Sequence, residues 1–243
     1  MESNQISYDH VKSFERIDAI IATSDNSFEE LDKIPPRDKL TYTNGFYVNC
    51  SAVFVDIRNS SQIPIKHTRP KLAKLYRAYI SEIVAIMNGN NLCSEISIVG
   101  DCVSGIFNTP YRHNFDNVFT TAAEISSFID VLNCKFKRNN IEQINVGIGL
   151  SYGRSLMIKA GYSGSGINDV VWMGDVVNEA SKLCSYGNKT WIDFKVMVSN
   201  DFYNNLYEHN QELLSRNSSR NCYHGNIIHT GLNVWYQEQC KEH

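Results

Sequence analysis

The chain has no apolar run approaching the roughly 20 residues that a bilayer-spanning helix needs, so nothing in it points to a membrane partner. It has no excess of basic residues either. Lys and Arg number 23 against 26 Asp and Glu, and the net charge of −3 leaves no electrostatic footprint for general nucleic-acid binding. The opening stretch MESNQISYDHVKSFER lacks the basic-then-apolar pattern of a secretory leader. The seven cysteines (Cys50, Cys93, Cys102, Cys134, Cys184, Cys222 and Cys240) form no CxxC pair, and no two histidines stand at i+3 or i+4. That argues against a zinc site. An odd, scattered set of thiols fits buried side chains in a reducing compartment better than a disulfide framework. The expectation is a soluble cytoplasmic protein.

What is present is strong periodicity. Residues 8–32 predict a helix, with Val11, Phe14, Ile17, Ile20 and Ile21 at helical spacing. KIPPRDKLTYTNG follows, whose two prolines break any helix and whose Asn-Gly closes in a turn. A helical arm and linker over 1–44 would thus precede a larger domain over 45–243. FYVNCSAVFVDI reads as a strand, RPKLAKLYRAYISEIVAIMN as an amphipathic helix with Leu72, Leu75, Tyr79, Ile83 and Ile86 on one stripe, and EISIVGDCVSGIF as a hairpin with two buried arms. A second helix (NVFTTAAEISSFIDVLNCKFK) and another strand (NVGIGLSYG) complete a β-α-β-β-α-β order, the ferredoxin-like α+β arrangement. Beyond it lie a Gly-rich loop KAGYSGSGINDVVW, a helix DVVNEASKLCSYG and a tail ending in strand-like NVWYQ.

The acid at the tip of the hairpin, Asp101, suits a Gly-Asp turn, and that alone explains a lone pair of this kind. A second acid changes the reading. Asp56 ends the first strand of the repeat, and in a β-α-β-β-α-β sheet that strand neighbours the hairpin. Two carboxylates at close range repel unless a divalent cation lies between them, and Mg²⁺ or Mn²⁺ suits a site that also takes phosphate oxygens. The Asn59-Ser60-Ser61 turn that follows offers N–H groups and hydroxyls to a phosphate.

FVDIRNSS, IVGDCVSGIF and WMGDVVNEASKL, in that order over residues 46–237, resemble the three motifs of the class III nucleotide cyclases, the adenylyl and guanylyl cyclase catalytic domain. The resemblance implies a fold of ferredoxin-like type with a C-terminal extension. It implies that Asp56 and Asp101, with the carbonyl of Ile57, hold two Mn²⁺ or Mg²⁺ ions, and that Arg58, Asn59, Ser60 and Ser61 line the triphosphate. It makes Asn178 the residue that orients the ribose. The transition-state Arg of the family falls on Lys182, which keeps the charge at i+4 but not the planar fork. It also implies a homodimer in which each site takes its Asp pair from one chain and its Asn-bearing helix from the other.

The base pocket departs from the family. The purine-reading position four before Asp101 is Ser97, and its partner three before Gly174 is Val171, so neither purine is read in the usual way. The "VDIR-x-S-S" motif and the short arm resemble the pyrimidine cyclases of bacterial Pycsar anti-phage systems. That resemblance implies cyclic UMP or cyclic CMP as product, made on phage attack and sensed by a separate effector protein. Tyr47 then becomes a candidate to stack on a small base. No single residue of the sequence separates uracil from cytosine. Two rival readings stay open here: an adenylyl cyclase with an unusual pocket, and a non-catalytic nucleotide sensor.

Overall fold

The computed structural model describes residues 3, 5–66, 68–163 and 166–240. Its helices are α1 (His10–Ile21), α2 (Ile63–Lys66), α3 (Arg69–Gly89), α4 (Arg112–Arg138), α5 (Asp175–Tyr186), α6 (Asn200–Asn205), α7 (Glu208–Gln211) and α8 (Thr230–Cys240). The strands are β1 (Phe28–Leu31), β2 (Gly45–Ile57), β3 (Cys93–Val99), β4 (Cys102–Phe107), β5 (Val146–Tyr162), β6 (Ile167–Met173), β7 (Val196–Val198), β8 (Ser215–Asn217) and β9 (Cys222–Gly225). Strands β2, β3, β4 and β5 with helices α3 and α4 form the expected β-α-β-β-α-β unit.

The sheet runs β3-β4-β2-β5-β7-β9-β8, with β1 on β2 and β6 on β5. β2 is its axis, antiparallel to β4 on one side and to β5 along its whole length on the other. Side chains alternate between faces along a strand. The odd-numbered residues Val53, Val55 and Ile57 enter the main core with Leu75, Tyr79 and Ile83 of α3 and Phe115, Phe119 and Ile129 of α4. The even-numbered residues Cys50 and Ala52 meet Val176 and Ala180 of α5 on the opposite face. The site is built on this even face.

Helix α5 lies on β5 at backbone contact. A Cβ on Gly147 would stand 2.1 Å from the Cys184 carbonyl oxygen, and one on Gly149 2.1 Å from that of Ala180. The two glycines of VGIGL are thus what let the helix settle.

Five expectations are corrected. The helix expected over 8–32 ends at Ile21. Ser24 caps a short 3-10 turn, and Phe28–Leu31 pair in parallel with β2, so the end of the stretch expected to be helical is a strand. The apolar stripe of α1 is exposed from Val11 to Ile21 rather than packed. The Gly-rich loop is a hairpin. β5 continues to Tyr162 and β6 returns beside it, Val170 and Trp172 packing on Phe46, Val48 and Met157, while Gly164 and Ser165 lie outside the described residues. NVWYQ is helical in α8, where Trp235 packs under the Lys135 ammonium on α4, a tertiary contact overriding its strand-like composition. Finally, Cys134 and Cys240 are disulfide-bonded, joining α4 to α8, while the other five cysteines are free. The hairpin's first arm, β3, is an edge strand with Ile98 and Val99 exposed, so only its second arm is buried.

Gly149→Ala should lift α5 from the sheet. The expected loss is about 1–3 kcal/mol, or roughly 3–10 °C in Tm for a chain of this size, measured by thermal unfolding. An unchanged Tm would show that the contact gives way without cost.

Candidate active site

Asp56 leaves the even face of β2 at its last turn of pleat, opposite Cys102, which opens β4. Gly100, in the left-handed region at φ 64°, and Asp101 make the two-residue turn that swings the second carboxylate toward the first. The two acids interact directly. Burial raises the Asp56 pKa above the ordinary carboxylate value, and the Asp101 charge and a side-chain hydrogen bond to Asp101 raise it further, while Arg58 pulls it down. Asp101 Oδ2 is buried with no hydrogen-bond partner.

An unpartnered buried oxygen beside a second carboxylate fits a divalent cation. No group of three or more His, Cys, Asp or Glu side chains converges on any point among the described residues. The two carboxylates would therefore be the only side-chain ligands, with backbone carbonyl, water and substrate phosphate completing the shell. The thiols nearby do not compete. Burial first, and the two carboxylates next, push Cys102 up to about 12, and burial raises Cys184 as well. Both stay protonated at neutral pH, so the site offers oxygen rather than sulfur and favours hard ions. Behind the acids stand Tyr76 and Tyr79 of α3, raised first by burial, with a further push from Asp101. Motif reading missed this wall, although the Tyr79 stripe position was visible.

Arg58 differs from expectation. Its guanidinium is turned inward, donating to Asp56 Oδ2 at 3.0 Å and to the Ser185 carbonyl at 2.9 Å, with only 14% of the side chain exposed. It is a resident counter-charge for Asp56 and a tie between the end of β2 and the last turn of α5, not a free hand along the triphosphate. Asn59 takes a left-handed conformation (φ 55°) that starts the 3-10 turn Ser60–Gln62 directly after β2.

Asn178 and Lys182 are exposed on α5. The helix buries Val176, Ala180, Leu183 and Cys184, so at 100° per residue Asn178 and Lys182 point away from their own sheet. One chain therefore does not bring them to Asp56.

Three further expectations divide. Ser97 pairs with Ser104, which pairs with Phe54, so it shares the face of Asp56 and is exposed there. Val171 lies in register with Ile158 and Gly45 on the other face, and Trp172 takes the inward place instead. Tyr47 is on the odd face, under the Arg154 guanidinium at 4.0 Å, and lies nine residues, roughly 30 Å, from Asp56 along β2. The structure does not bring Tyr47 to the acids.

A curled α+β sheet that carries paired acids at its β2–β4 junction is the setting for the family assignment. The chain belongs to the adenylate and guanylate cyclase catalytic domain family, which matches residues 43–225. It is 41% identical to a uridylate cyclase of Gulbenkiania mobilis, over 98% of this chain and 99% of that one. It is 38% identical to a uridylate cyclase of Treponema porcinum, over 86% of this chain and 72% of that one. Among solved structures, it resembles a class III adenylyl cyclase-like ATP-binding protein from Pseudomonas aeruginosa, with a TM-score of 0.69 at 15% identity over 93% of this chain and 48% of that one. It also resembles the adenylyl cyclase CyaB from P. aeruginosa, with a TM-score of 0.60 at 18% identity over 71% and 85% of the two chains. At these identities the two structures support the fold alone.

Asp101→Asn keeps the turn, since Asn forms it as well as Asp. Turnover should fall by on the order of a thousandfold with the loss of an ion ligand. The folded state holds the Asp56 proton more tightly than the unfolded chain, whose carboxylate titrates near 3.8, so stability of metal-free protein falls as pH rises through that window. Removing the Asp101 charge relieves part of this. Metal-free Asp101→Asn should melt no lower than wild type at pH 7, and Mn²⁺ should raise the Tm of wild type but not of the variant. A variant that unfolds would make Asp101 structural.

Proposed function

We propose that the protein is a uridylate cyclase, converting UTP to 3′,5′-cyclic UMP and pyrophosphate. The observation that carries this is identity of 41% to a uridylate cyclase along nearly the full length of both chains, with the facing Asp56 and Asp101 in place. Cyclic CMP from CTP is the second reading, and relaxed purine positions at Ser97 and Val171 favour either pyrimidine over ATP.

In this reading Asp56, Asp101 and the carbonyl of Ile57 hold two Mn²⁺ or Mg²⁺ ions. The ions, when bound, favour ionisation of the ribose 3′-OH and neutralise the triphosphate. The 3′ oxygen bonds to the α-phosphorus, the bond from that phosphorus to the bridging oxygen breaks, and pyrophosphate departs. Arg58 balances the charge of Asp56. Asn59, Ser60 and Ser61 receive phosphate oxygens, Asn178 sets the ribose, and Lys182 meets charge that develops on the phosphates. A compact ammonium serves that last role as a point charge without a bidentate grip.

Because Asn178 and Lys182 face outward from their own sheet, a second copy of the chain has to supply them. The working unit is accordingly a homodimer with two composite sites. Residues 45–243 form the catalytic unit, with 1–44 as an arm that lays β1 on it. By the resemblance to Pycsar cyclases, the product is an intracellular signal of anti-phage defence, read by a separate effector.

Assay of UTP, CTP, ATP and GTP with Mn²⁺ tests the activity. Turnover of UTP ahead of the other three is expected; ATP as preferred substrate, or no turnover at all, would sink it. Complementation tests the dimer. Asp56→Ala and Asn178→Ala homodimers should each be inactive. Co-expressed, they form half mixed dimers, each with one intact site, and should recover about a quarter of wild-type activity by symmetry. Purified heterodimer without activity would place the whole site in one chain.

A further inference from the structure

Outside the acids, one polar cluster on the even face is left unexplained by the motifs. Glu95 of β3 shares the face of Ser97 and Ile106. Its side chain is only 14% exposed, and the Arg37 Nη2 stands 3.1 Å from its Oε1. The same nitrogen donates to Asp169 Oδ1 of β6 at 2.7 Å. β3 and β6 are separated in the sheet by β4, β2 and β5. One guanidinium nitrogen touches both, so the part of the sheet from β3 to β6 curls, and its even face becomes a trough. Trp172 of β6 reaches across it to the Cys50, Ala52 and Ile106 cluster. Burial raises the Glu95 pKa above the ordinary carboxylate value, opposed by the Arg37 charge and by the Trp172 indole N–H beside it, and Trp172 Nε1 is buried without a hydrogen bond of normal geometry.

The trough therefore offers one carboxylate served by two donors from separate elements. Asp169 is committed, accepting from Arg37 and from its own neighbour's backbone N–H, Val170. A buried donor without an acceptor is costly, and a guanidinium has five N–H groups of which these contacts use one nitrogen. Both facts suit a ligand with acceptors on either side of a donor. Uracil has that edge: two carbonyl oxygens flanking the N3–H. Cytosine has an amino donor, then a bare ring nitrogen, then a carbonyl, so its ring nitrogen would face the carboxylate lone pairs. The Watson–Crick edges of adenine and guanine do not match the order either.

The geometry points to Trp172, Glu95 and Arg37 as a donor–acceptor–donor reader of the uracil edge, with Arg37 delivered by the segment that precedes β2. This rests on the pyrimidine cyclase reading and names the residues that choose between UTP and CTP. Glu95 accepts from N3–H, and Trp172 and Arg37 each donate to one carbonyl. Ser97, two residues along the same face, borders the trough without reading the base.

The test is kcat/KM for UTP and CTP with Mn²⁺, measured on the full chain as wild type, Glu95→Gln and Trp172→Phe. Wild type should favour UTP by on the order of a hundredfold, as expected where buried groups pair only with the right edge. Each variant should lose about tenfold of that preference, Trp172→Phe because it keeps an aromatic side chain in the trough but has no ring N–H to donate. A drop in Tm or in both rates together, with the UTP:CTP ratio unchanged in both variants, would make the cluster structural and overturn the assignment. If either variant fails to fold, the other decides. A wild type that cyclises neither pyrimidine would overturn the proposed activity alone. The assignment would then be judged by equilibrium binding: UTP over CTP in wild type with the advantage lost in the variants supports it, and equal binding overturns it.

Discussion

Two carboxylates pressed together where water is scarce are costly, and the fold around Asp56 and Asp101 is arranged to hold them there. β2 is fixed on both sides by antiparallel partners, so its last residues have no freedom to splay. The hairpin turn at Gly100 and Asp101 hangs from β4, the strand beside it. Tyr79 backs the pair from the main core, and Arg58 supplies a permanent positive charge beside Asp56. A site with fewer covalent and packing constraints would relax by turning one acid to solvent. This one keeps an oxygen buried and unpaired, which is the condition for ready capture of a divalent ion.

The second constraint is the close seat of α5. Gly147 and Gly149 remove the side chains that would hold the helix off β5, and the helix then commits four residues inward. Helical geometry dictates the consequence: Asn178 and Lys182 must face outward. Arg58 ties the end of this helix to Asp56 of the same chain, so the acid corner and the helix are joined directly.

The curl of the sheet links the N-terminal segment to the catalytic unit. The end of the stretch read as helix contributes β1, and Ile34 and Leu40 of the linker pack on the even face beside Arg37. Arg37 then spans the trough between β3 and β6. The arm proper, α1, contributes no buried side chain.

Much of this was legible beforehand because it depends on local chemistry. Alternation marked β2, the stripe through Leu75, Tyr79 and Ile83 marked α3, and the three motifs located both acids, Asn178 and Lys182. The errors lie where long-range contact outweighs local preference. The Gly-rich stretch became a hairpin because its backbone pairs with β5, and NVWYQ became helix because it docks on α4. Face assignment was also out of reach for Tyr47, Val171 and Trp172. A strand's side chains change face with every residue, and only pairing with its neighbours sets which set turns inward. The sequence by itself determined the order of elements and the chemistry of the Asp56–Asp101 corner, since motif spacing and turn residues act over a few positions. Only the tertiary structure decided that Arg58 turns inward, that Asn178 looks outward, and that Glu95, Trp172 and Arg37 meet. Those residues lie on different elements, and sheet curl and helix seating alone bring them together or hold them apart.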